Sequence, residues 1–464
     1  MVPLPKEGII SWMILLGRLP TGDRLLRWGM QINAFPPCQT CGSPNESPPA
    51  PKPGASLPEP GAPEASPPEL APIPPPELSP EPSEAPRDDK VFDVTEYDAV
   101  ADGWTESRLA FLAAWKAACD HPGNSTFYIP EGIFMVAPIT FHGPCYNDLS
   151  PNVKIKGTLL APIRLTAFKS HHWIAFKNLK GFAVTGGTET GKVDGQGEAE
   201  AWQQSSCLKA ARCKKLITSM FFINVSHASI SNITLLNGKG FHLGLHKSND
   251  INIYNVNIIA PEDSPNTDGI HVSHSSNISI FSSTIGVGDD CISIGSGSNN
   301  ISISDVRCGP GHGISVGSLG KYKTETDVVG ISVRNCTING TENGIRMKSW
   351  PGGRAINAYN MTFEDILMIN VSNPIVIDQE YCPSHKCKTT KPSLVKVKDI
   401  LIRNISGTYN TKSAVTLLCS SDAPCEDIRL VNISLNYLVP HTPRQGRFNI
   451  KGFLNGLQVI NSKF

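Results

Sequence analysis

Residues with acid–base side chains recur at an equal spacing in the middle of the chain. The interval from Asp268 to Asp290 equals the interval from Asp290 to His312, and Asp289 directly precedes the second member. If this spacing stacks Asp268 above Asp290 at about 4.8 Å, their repulsion costs roughly 3 kcal/mol at an effective dielectric constant near 20. A chain tolerates such repulsion where a shared proton is useful. We therefore expect acid–base chemistry at this column.

A pair of cationic residues follows the acid–base residues along the chain. Arg346 and Lys348 flank Met347, and in an extended segment alternation places both cations on one face. Two cations on one face could hold a ligand that carries a carboxylate, with the arginine binding it through a bidentate fork. The alternative is a solvated basic strand.

Hydrophobic segments around these residues repeat at nearly the same period. Alternating runs begin at Asn232, Asn255, Asn277 and Asn300, at intervals that differ from one another by a single position. Each run is short and is broken by Gly, Asn and Ser, which favours strands and turns over helices. Such a repeat predicts a stacked array, and we predict an all-β fold, a right-handed parallel β-helix. The acid–base column is then one stack of polar side chains, although a simple turn ladder is the alternative.

Further elements should complete the predicted β-helix. Thr105 can cap a short N-terminal helix that runs to Cys119 and covers the open first coil. Its expected apolar face contains Leu109, Leu112, Ala113 and Lys116. After His312 the period lengthens because of insertions at 317–326 and around 349–353. Insertions on successive coils tend to build the wall of a cleft.

The composition excludes some classes of partner. The 464 residues include 41 basic and 41 acidic residues, so no overall field attracts nucleic acid or a membrane surface. No run of 18 apolar residues exists, which argues against a membrane-spanning helix. We expect a monomer without nucleic-acid or membrane partners.

The cysteine content indicates an oxidising compartment. Thirteen cysteines are present, and cytosolic chains seldom carry so many without metal-ligand spacing. The candidate disulfides are Cys119/Cys145, Cys207/Cys213, Cys291/Cys308, Cys382/Cys387 and Cys419/Cys425, with Cys336 left over. Buried thiols are the alternative. Eleven Asn-x-Ser/Thr sites between Asn124 and Asn432 also favour secretion, but most are repeat positions where a turn or strand-end asparagine is expected.

The chain divides by composition into three segments. Residues 1–43 contain an apolar run after Lys6 but no small-residue cleavage site, so they form a poor signal peptide. This segment, with Cys38-Gln39-Thr40-Cys41, resembles the zinc-binding fragment beside plant retrotransposon reverse transcriptases, and we interpret it as a fused or mispredicted N-terminus. Residues 44–87 form a proline-rich linker with 17 of the 38 prolines. Residues 88–464 are the predicted catalytic domain.

Four ordered motifs carry a resemblance to a known family. The motifs are NTDG at Asn266, GDD at Gly288, GHG at Gly311 and Arg346-Met347-Lys348. Together with FDVTEYDAVADG and VDGQG, they resemble the pectin-hydrolysing polygalacturonases of glycoside hydrolase family 28 from about Val91 to the end of the chain. The stretches NGKGFHLGLH and NPIVIDQEYCP are most similar to the pollen-type exopolygalacturonases of plants.

The resemblance implies roles for individual residues. Asp289 matches the general acid, and Asp268 and Asp290 match the pair that positions and deprotonates the attacking water in an inverting hydrolysis. The resemblance also implies that His312 lies near the acid and matters for activity. The matching substrate-binding residues are Asn266, Arg346, Lys348 and Tyr381. We expect Gly288 to permit the bend that brings both adjacent aspartates to the cleft.

The resemblance to this family implies an enzyme on polygalacturonate that needs no metal ion or cofactor, and the similarity to the pollen-type members implies exo action. We expect the enzyme to be secreted. Endo action remains an alternative. A calcium-dependent pectate lyase would instead use Asp268, Asp289 and Asp290 as oxygen ligands. A catalytically inactive wall-binding protein is a further alternative, with the proline-rich segment as its anchor.

Overall fold

The computed structural model describes residues 89–187, 191–202, 216–383, 387, 391–438 and 448–464. Within these residues nearly every element is a strand that pairs in parallel with a strand of another coil. The predicted right-handed parallel β-helix is confirmed. Segments 1–43 and 44–87, with the zinc-fragment resemblance and the proline-rich linker, lie outside the described residues.

Strands of the described coils stack on three faces. The site face contains Ile139–His142, His172–Lys177, Thr218–Ile223, Leu243–His246, Ile270–Ser273, Ile292–Ile294, Ile314–Leu319, Asn343–Ser349, Asn373–Asp378, Val415–Cys419 and Phe448–Gly452. The second face contains Lys90–Asp93, Ser125–Ile129, Asn152–Ile155, Lys180–Thr185, Ser226–Ser231, Asn249–Tyr254, Ser276–Phe281, Asn299–Ser304, Val328–Arg334, Ile356–Val371, Val395–Tyr409, Cys425–Tyr437, Leu454–Asn455 and Gln458–Ile460. The long strands Ile356–Val371, Val395–Tyr409 and Cys425–Tyr437 continue from this face onto the third. The third face contains Asp102–Glu106, Ile133–Met135, Thr158–Leu160, Gly191–Asp194, Ile233–Leu236, Asn257–Ile259, Thr284–Gly286, Arg307–Cys308 and Thr337–Asn339.

The core consists of the inward-facing residues of successive coils. On the site face, Ile270 aligns with Ile292, Ile292 with Ile314, and Ile314 with Ile345, and each is at most 1% exposed. Burying an isoleucine side chain contributes about 1.5–3 kcal/mol. The register aligns each inward-facing residue with an inward-facing residue of the next coil. The residues between them in each strand therefore face outward, and these include the site residues.

The repeat predicted from the Asn-initiated runs combines two separate columns. Thr234 aligns with Asn257 on the third face, whereas Ile278 aligns with Ile301 on the second face. The runs at Asn232 and Asn255 therefore begin third-face strands, while those at Asn277 and Asn300 belong to the second face. The same short Asn-Ile pattern therefore marks strands on two faces of the coil.

Asparagines at the coil corners adopt left-handed backbone angles. Asn277 and Asn300 both have a φ of 55°. The Asn300 side-chain amide donates to Asn277 Oδ1 at 2.8 Å, and Asn277 donates to Asp250 Oδ1 at 2.8 Å. Both sequons therefore lie at the start of a strand, one of the expected turn or strand-end positions, where asparagine tolerates the left-handed region.

The N-terminal capping helix is present but differs from the prediction in its start and its buried face. It spans Arg108–Cys119 after an N-cap at Ser107, and Thr105 belongs to the preceding strand. Leu109 is 71% exposed, so the predicted apolar face was wrong. The buried face contains Ala110, Phe111, Ala114, Trp115, Ala118 and Cys119. This face packs on the aromatic residues of the first coils, which covers their open end.

Four of the predicted disulfides are formed. They are Cys119–Cys145, Cys291–Cys308, Cys382–Cys387 and Cys419–Cys425. Cys336 is free and buried, as expected for the leftover cysteine, and Cys207/Cys213 lies outside the described residues. No helix in the described part of the chain is long and apolar enough to cross a membrane.

Both predicted insertions pack against each other beside the site face. The Trp350 N–H donates to the Leu319 carbonyl at 2.8 Å, and the Arg354 N–H donates to the Gly320 carbonyl at 2.7 Å. Buried Glu325 accepts hydrogen bonds from the backbone of Gly320 and Tyr322, which fixes the first insertion. Backbone hydrogen bonds thus join the two insertions into one wall at the ends of the strands Ile314–Leu319 and Asn343–Ser349.

Candidate active site

The backbone places the predicted acid–base residues at matching positions on successive coils. The Gly269 N–H donates to the Asp290 carbonyl at 2.9 Å, and the Cys291 N–H donates to the Gly313 carbonyl at 2.9 Å. Asp268, Asp290 and His312 each lie two positions before one of the aligned isoleucines of the site face. Their side chains, however, have different partners, so the three residues are not equivalent chemically.

Asp290 is buried between two cations. Its Oδ1 lies 2.7 Å from Arg346 Nη2, and its Oδ2 lies 2.6 Å from Lys348 Nζ. Ser315 donates a third hydrogen bond to Oδ1 at 2.7 Å. Burial alone would raise the pKa of Asp290, but Lys348 and Arg346 outweigh it and hold the pKa below its usual range. Asp290 is therefore held as a carboxylate.

Asp268 is buried next to a hydroxyl group, whereas Asp290 is buried next to two cations. The Asp268 Oδ2 accepts a hydrogen bond from Ser293 at 2.7 Å. Burial, together with the charges of Asp289 and Asp290, raises the pKa of Asp268 well above its usual range. The two carboxyl groups of the column thus differ in their readiness to hold a proton.

Asp289 forms a chain of polar contacts with His312 and Glu342. Asp289 Oδ1 lies 3.0 Å from His312 Nδ1, and His312 Nε2 lies 3.0 Å from Glu342 Oε2. Burial alone would lower the pKa of His312, but the hydrogen bond and charge of Asp289, with the charge of Glu342, raise it. With a carboxylate at each ring nitrogen, the doubly protonated imidazolium is favoured.

The turn that carries both adjacent aspartates depends on a close approach at Gly288. A Cβ atom at this position would lie 2.0 Å from the Ser264 carbonyl oxygen. The Gly288 N–H also donates to Thr267 Oγ1 at 3.0 Å, which ties this turn to the turn before Asp268. Asp289 and Asp290 lie outside the strands, so the expected bend is present, and the glycine is needed for space.

The cationic pair lies in the strand Asn343–Ser349 as alternation predicted. Met347 between the cations is 4% exposed and belongs to the core, so Arg346 and Lys348 share the outward side. Burial alone would lower the pKa of both cations, but the charge of Asp290 raises it. Instead of standing free for a ligand, both cations contact a carboxylate of the chain itself.

The two remaining predicted residues lie beside this cluster. The Tyr381 ring centroid is 5.5 Å from Lys348 Nζ and 5.4 Å from the Trp350 ring. Burial raises the pKa of the Tyr381 phenol, so it remains a hydrogen-bond donor. Asn266 is half-buried in the turn before Asp268 with a φ of 54°.

Three residues of the site lie close enough together to be considered as metal ligands. One atom each of Asp289, Asp290 and His312 lie within 4.8 Å of one another. Both oxygens of Asp290 already contact cations, and the surroundings of His312 favour its protonated form, which cannot ligate a metal. These residues are poorly suited to hold calcium.

Sequence reasoning missed polar residues whose side chains contact the acid–base side chains of the predicted site. Ser293 and Ser315 each donate to one aspartate of the column, and Glu342 contacts His312. A signal was present, since His271, Ser293 and Ser315 repeat the interval of the acid–base column, three positions after each of its members.

Replacement of Glu342 tests the electrostatic setting of His312. We expect Glu342→Gln to lower the His312 pKa, because the substitution removes one of the two carboxylates that stabilise the imidazolium. The raised pKa contributes stability below about pH 6.5, and this is lost as pH rises through the folded-state pKa. NMR titration of the His312 ring measures the shift. Glu364→Gln, which removes an ion-pair partner of Arg403, is the control; an equal His312 pKa in both variants would contradict the prediction.

The fold and the site define a parallel β-helix protein with a carboxylate and cation cluster on one outward face. Residues 119–449 match the model of glycosyl hydrolases family 28, and the chain belongs to this family of enzymes. The family resemblance inferred from the four motifs is therefore confirmed.

Relatives of the chain include plant enzymes of similar length. An exopolygalacturonase from Zea mays is 43% identical over 348 residues, which are 75% of this chain and 83% of that protein. An exopolygalacturonase from Platanus acerifolia is 41% identical over 370 residues, or 80% and 96% of the two chains. The solved structure of an exopolygalacturonase from Thermotoga maritima has a TM-score of 0.62 at 19% identity and covers 76% of this chain and 90% of that chain. This last similarity supports the fold alone.

Proposed function

We propose that this chain hydrolyses α-1,4-galacturonosyl linkages of polygalacturonate, releasing monogalacturonate from the chain end by an inverting single displacement. The names of the relatives from Zea mays and Platanus acerifolia support this substrate and exo action. The observation that carries the proposal is that Asp268, Asp289 and Asp290 have three different electrostatic settings within one site. Inverting hydrolysis needs one carboxyl group that donates a proton and one that accepts it.

Asp289 is the proposed proton donor. Its side chain is 23% exposed, against 2% for Asp290, so it is the more accessible of the adjacent pair. The His312 imidazolium, 3.0 Å away, can supply the Asp289 carboxylate with that proton through Nδ1 and becomes neutral as it does so. The proton passes to the glycosidic oxygen as the bond between this oxygen and the anomeric carbon breaks.

Asp290 and Asp268 form the proposed water-side pair. Water attacks the anomeric carbon from the face opposite the leaving group and gives up a proton to this pair. Asp290 is the acceptor because its two cations keep it ionised. Asp268 orients the same water, and we propose that Asn266 helps to orient both carboxyl groups.

Arg346, Lys348 and Tyr381 are the proposed binding residues for a galacturonate unit. An arginine has five N–H donors and a lysine three, so their contacts with Asp290 leave capacity for a substrate carboxylate. The Tyr381 phenol next to them can donate to a sugar oxygen. In this arrangement the cations hold the substrate and the catalytic base on one surface.

Secretion and the segment boundaries remain part of this proposal. The four disulfides favour an oxidising compartment, and polygalacturonate is a cell-wall polymer. We propose that residues 88–464 are the catalytic domain and act as a monomer, that 44–87 is a linker, and that 1–43 is a fused or mispredicted segment.

Product analysis on polygalacturonate tests the function. The full chain and residues 88–464 should both release monogalacturonate at acidic pH, with EDTA present and without ultraviolet-absorbing unsaturated products. Mixed oligomers as first products would establish endo action, and EDTA-sensitive unsaturated products would establish a lyase. Absence of turnover by folded protein would refute the enzymatic proposal.

A further inference from the structure

The Asp268 backbone is fixed by a histidine that the proposed reaction does not use. His242 is fully buried, its Nε2 accepts the Gly238 N–H at 3.0 Å, and its Nδ1 lies 3.0 Å from the Asp268 carbonyl oxygen. Because Nε2 is the acceptor, Nδ1 carries the proton and donates to Asp268. With the main chain held in this way, the remaining freedom of Asp268 is the orientation of its carboxyl group.

A second histidine controls that orientation through a serine. The Ser293 hydroxyl donates to Asp268 Oδ2 at 2.7 Å, and Ser293 Oγ lies 2.8 Å from His271 Nδ1. A hydroxyl has a single proton, which Ser293 gives to Asp268, so the His271 Nδ1–H must be the donor to Ser293. His271 also stacks on Phe241 with ring centroids 4.9 Å apart, which restrains the imidazole plane.

One coil further on, a serine again donates to an aspartate, and the residue that donates to this serine is a cation. Arg346 Nε donates to Ser315 Oγ at 3.2 Å, and Ser315 donates to Asp290 Oδ1 at 2.7 Å. His271, Ser293, Ser315 and Arg346 are aligned on successive coils of the site face. Each carboxyl group therefore receives a serine hydroxyl that is itself oriented by a third residue, which is neutral for Asp268 and positively charged for Asp290.

We propose that His271 is a positioning residue for hydrolysis, which acts through Ser293 to orient the Asp268 carboxyl group toward the attacking water. This inference rests on the proposed function. The two hydrogen bonds that link His271 through Ser293 to Asp268 are called the relay. The relay also stabilises the charged form of Asp268, because the Ser293 hydrogen bond opposes the rise in the Asp268 pKa. Burial lowers the His271 pKa to about 4, so the imidazole stays neutral and keeps its donor at Nδ1 at higher pH.

Other titratable groups near the relay also influence the pKa values of Asp268 and His271. Those that act on Asp268 are Asp289, Asp290 and Lys348, and those that act on His271 are Asp290, Lys348 and His246. None of them is changed when the relay alone is interrupted. A variant of His271 or Ser293 therefore changes the orientation and the pKa of Asp268 while the other charges stay in place.

The chain contains a matched control for the relay. His246 Nδ1 lies 3.1 Å from Ser273 Oγ, and these residues are aligned on neighbouring coils just as His271 and Ser293 are. Ser273 donates to the Leu245 backbone carbonyl at 3.4 Å instead of to a carboxyl group. His246→Ala therefore removes the same kind of His–Ser pair without interrupting a path to Asp268.

Steady-state kinetics of the full chain on polygalacturonate test the relay. We expect His271→Ala and Ser293→Ala each to lower kcat about tenfold, the effect of one lost hydrogen bond, with KM changed less than twofold. The pH–rate profile should move to higher pH because Asp268 loses a hydrogen bond to its ionised form. His271→Asn, which retains an N–H donor near the position of Nδ1, should recover most of kcat, and His246→Ala should stay within twofold of the unaltered chain.

Distinct outcomes separate the relay from the function on which it rests. If His271→Ala matches His246→Ala in kcat and pH profile, or if His271→Asn recovers nothing, the relay is refuted while the proposed function stands. A fall in thermal stability with an unchanged pH profile would also overturn the relay. If the unaltered chain has no turnover, the proposed function fails, and the positioning role fails with it.

Discussion

Asp289→Asn should lower kcat on polygalacturonate by about 10²–10⁴-fold, the range for loss of a general acid, and leave substrate affinity within about twofold. The asparagine amide can still contact His312 and the Asp290 N–H, which the Asp289 carboxylate contacts now, but it cannot protonate a leaving oxygen. Calorimetric binding of oligogalacturonate and initial rates measure the two effects separately.

A substrate with a better leaving group distinguishes acid catalysis from general damage to the site. An aryl galacturonide with an acidic phenol needs little protonation, so Asp289→Asn should lose far less activity on it. Asp399→Asn is the matched control, because Asp399 is exposed and asparagine tolerates its left-handed φ of 55°. Equal losses on both substrates, or a large loss of binding, would contradict the acid role.

Lys348→Gln should destabilise the folded chain by about 3 kcal/mol, because it breaks a buried ion pair and leaves Asp290 with one cation. Asp290 has a depressed pKa, so its contribution is present above its unfolded-state pKa and is lost as pH falls through the folded-state value. Lys348 has a raised pKa, so its contribution is present below its unfolded-state pKa and is lost as pH rises through the folded-state value. The deficit should be largest between about pH 4 and pH 10.

Urea unfolding with the disulfides intact measures this deficit across pH. Activity should fall about a hundredfold in kcat/KM, which corresponds to loss of one charged hydrogen bond. Lys396→Gln is the control, since Lys396 pairs with Glu426 at 2.9 Å but is 40% exposed, and exposed pairs contribute at most about 1 kcal/mol. A deficit no larger than that of Lys396→Gln would show that Lys348 is not needed to hold Asp290.

Much of the fold could be predicted from residue spacing. In a β-helix, residues one repeat apart in the sequence align on neighbouring coils. The column at Asp268, Asp290 and His312 was predicted from two equal intervals along the sequence, and the isoleucines two positions later align in the structure. The capping helix was harder, because apolar residues occur on most sides of its 12 residues and permit more than one buried stripe. Its actual orientation follows from aromatic packing with Phe127 and Phe141, which are distant in sequence.

The sequence indicated which residues belong to the candidate site better than it indicated which of them contact one another. Motif residues identified Asp289, Arg346 and Lys348, but the two cations contact Asp290 across the lengthened coil that runs from Ile314 to Ile345. The shorter repeat at which Asp268, Asp290 and His312 recur does not predict that Arg346 and Lys348 reach Asp290. Ser293 and Ser315 were missed because short hydroxyl residues are common in the turns and strands of such repeats.

The stacking of one coil on the next also fixes the distances between site residues that lie on different coils. Groups on neighbouring coils are separated along the helix axis by about 4.8 Å, and residues inserted within a coil bulge outward without altering that step. The wall formed by 317–326 and 349–353 can therefore change in length while the separations between acid, base and cation stay constant. Only the gain or loss of a complete coil would change those separations, and it would do so in one discrete step.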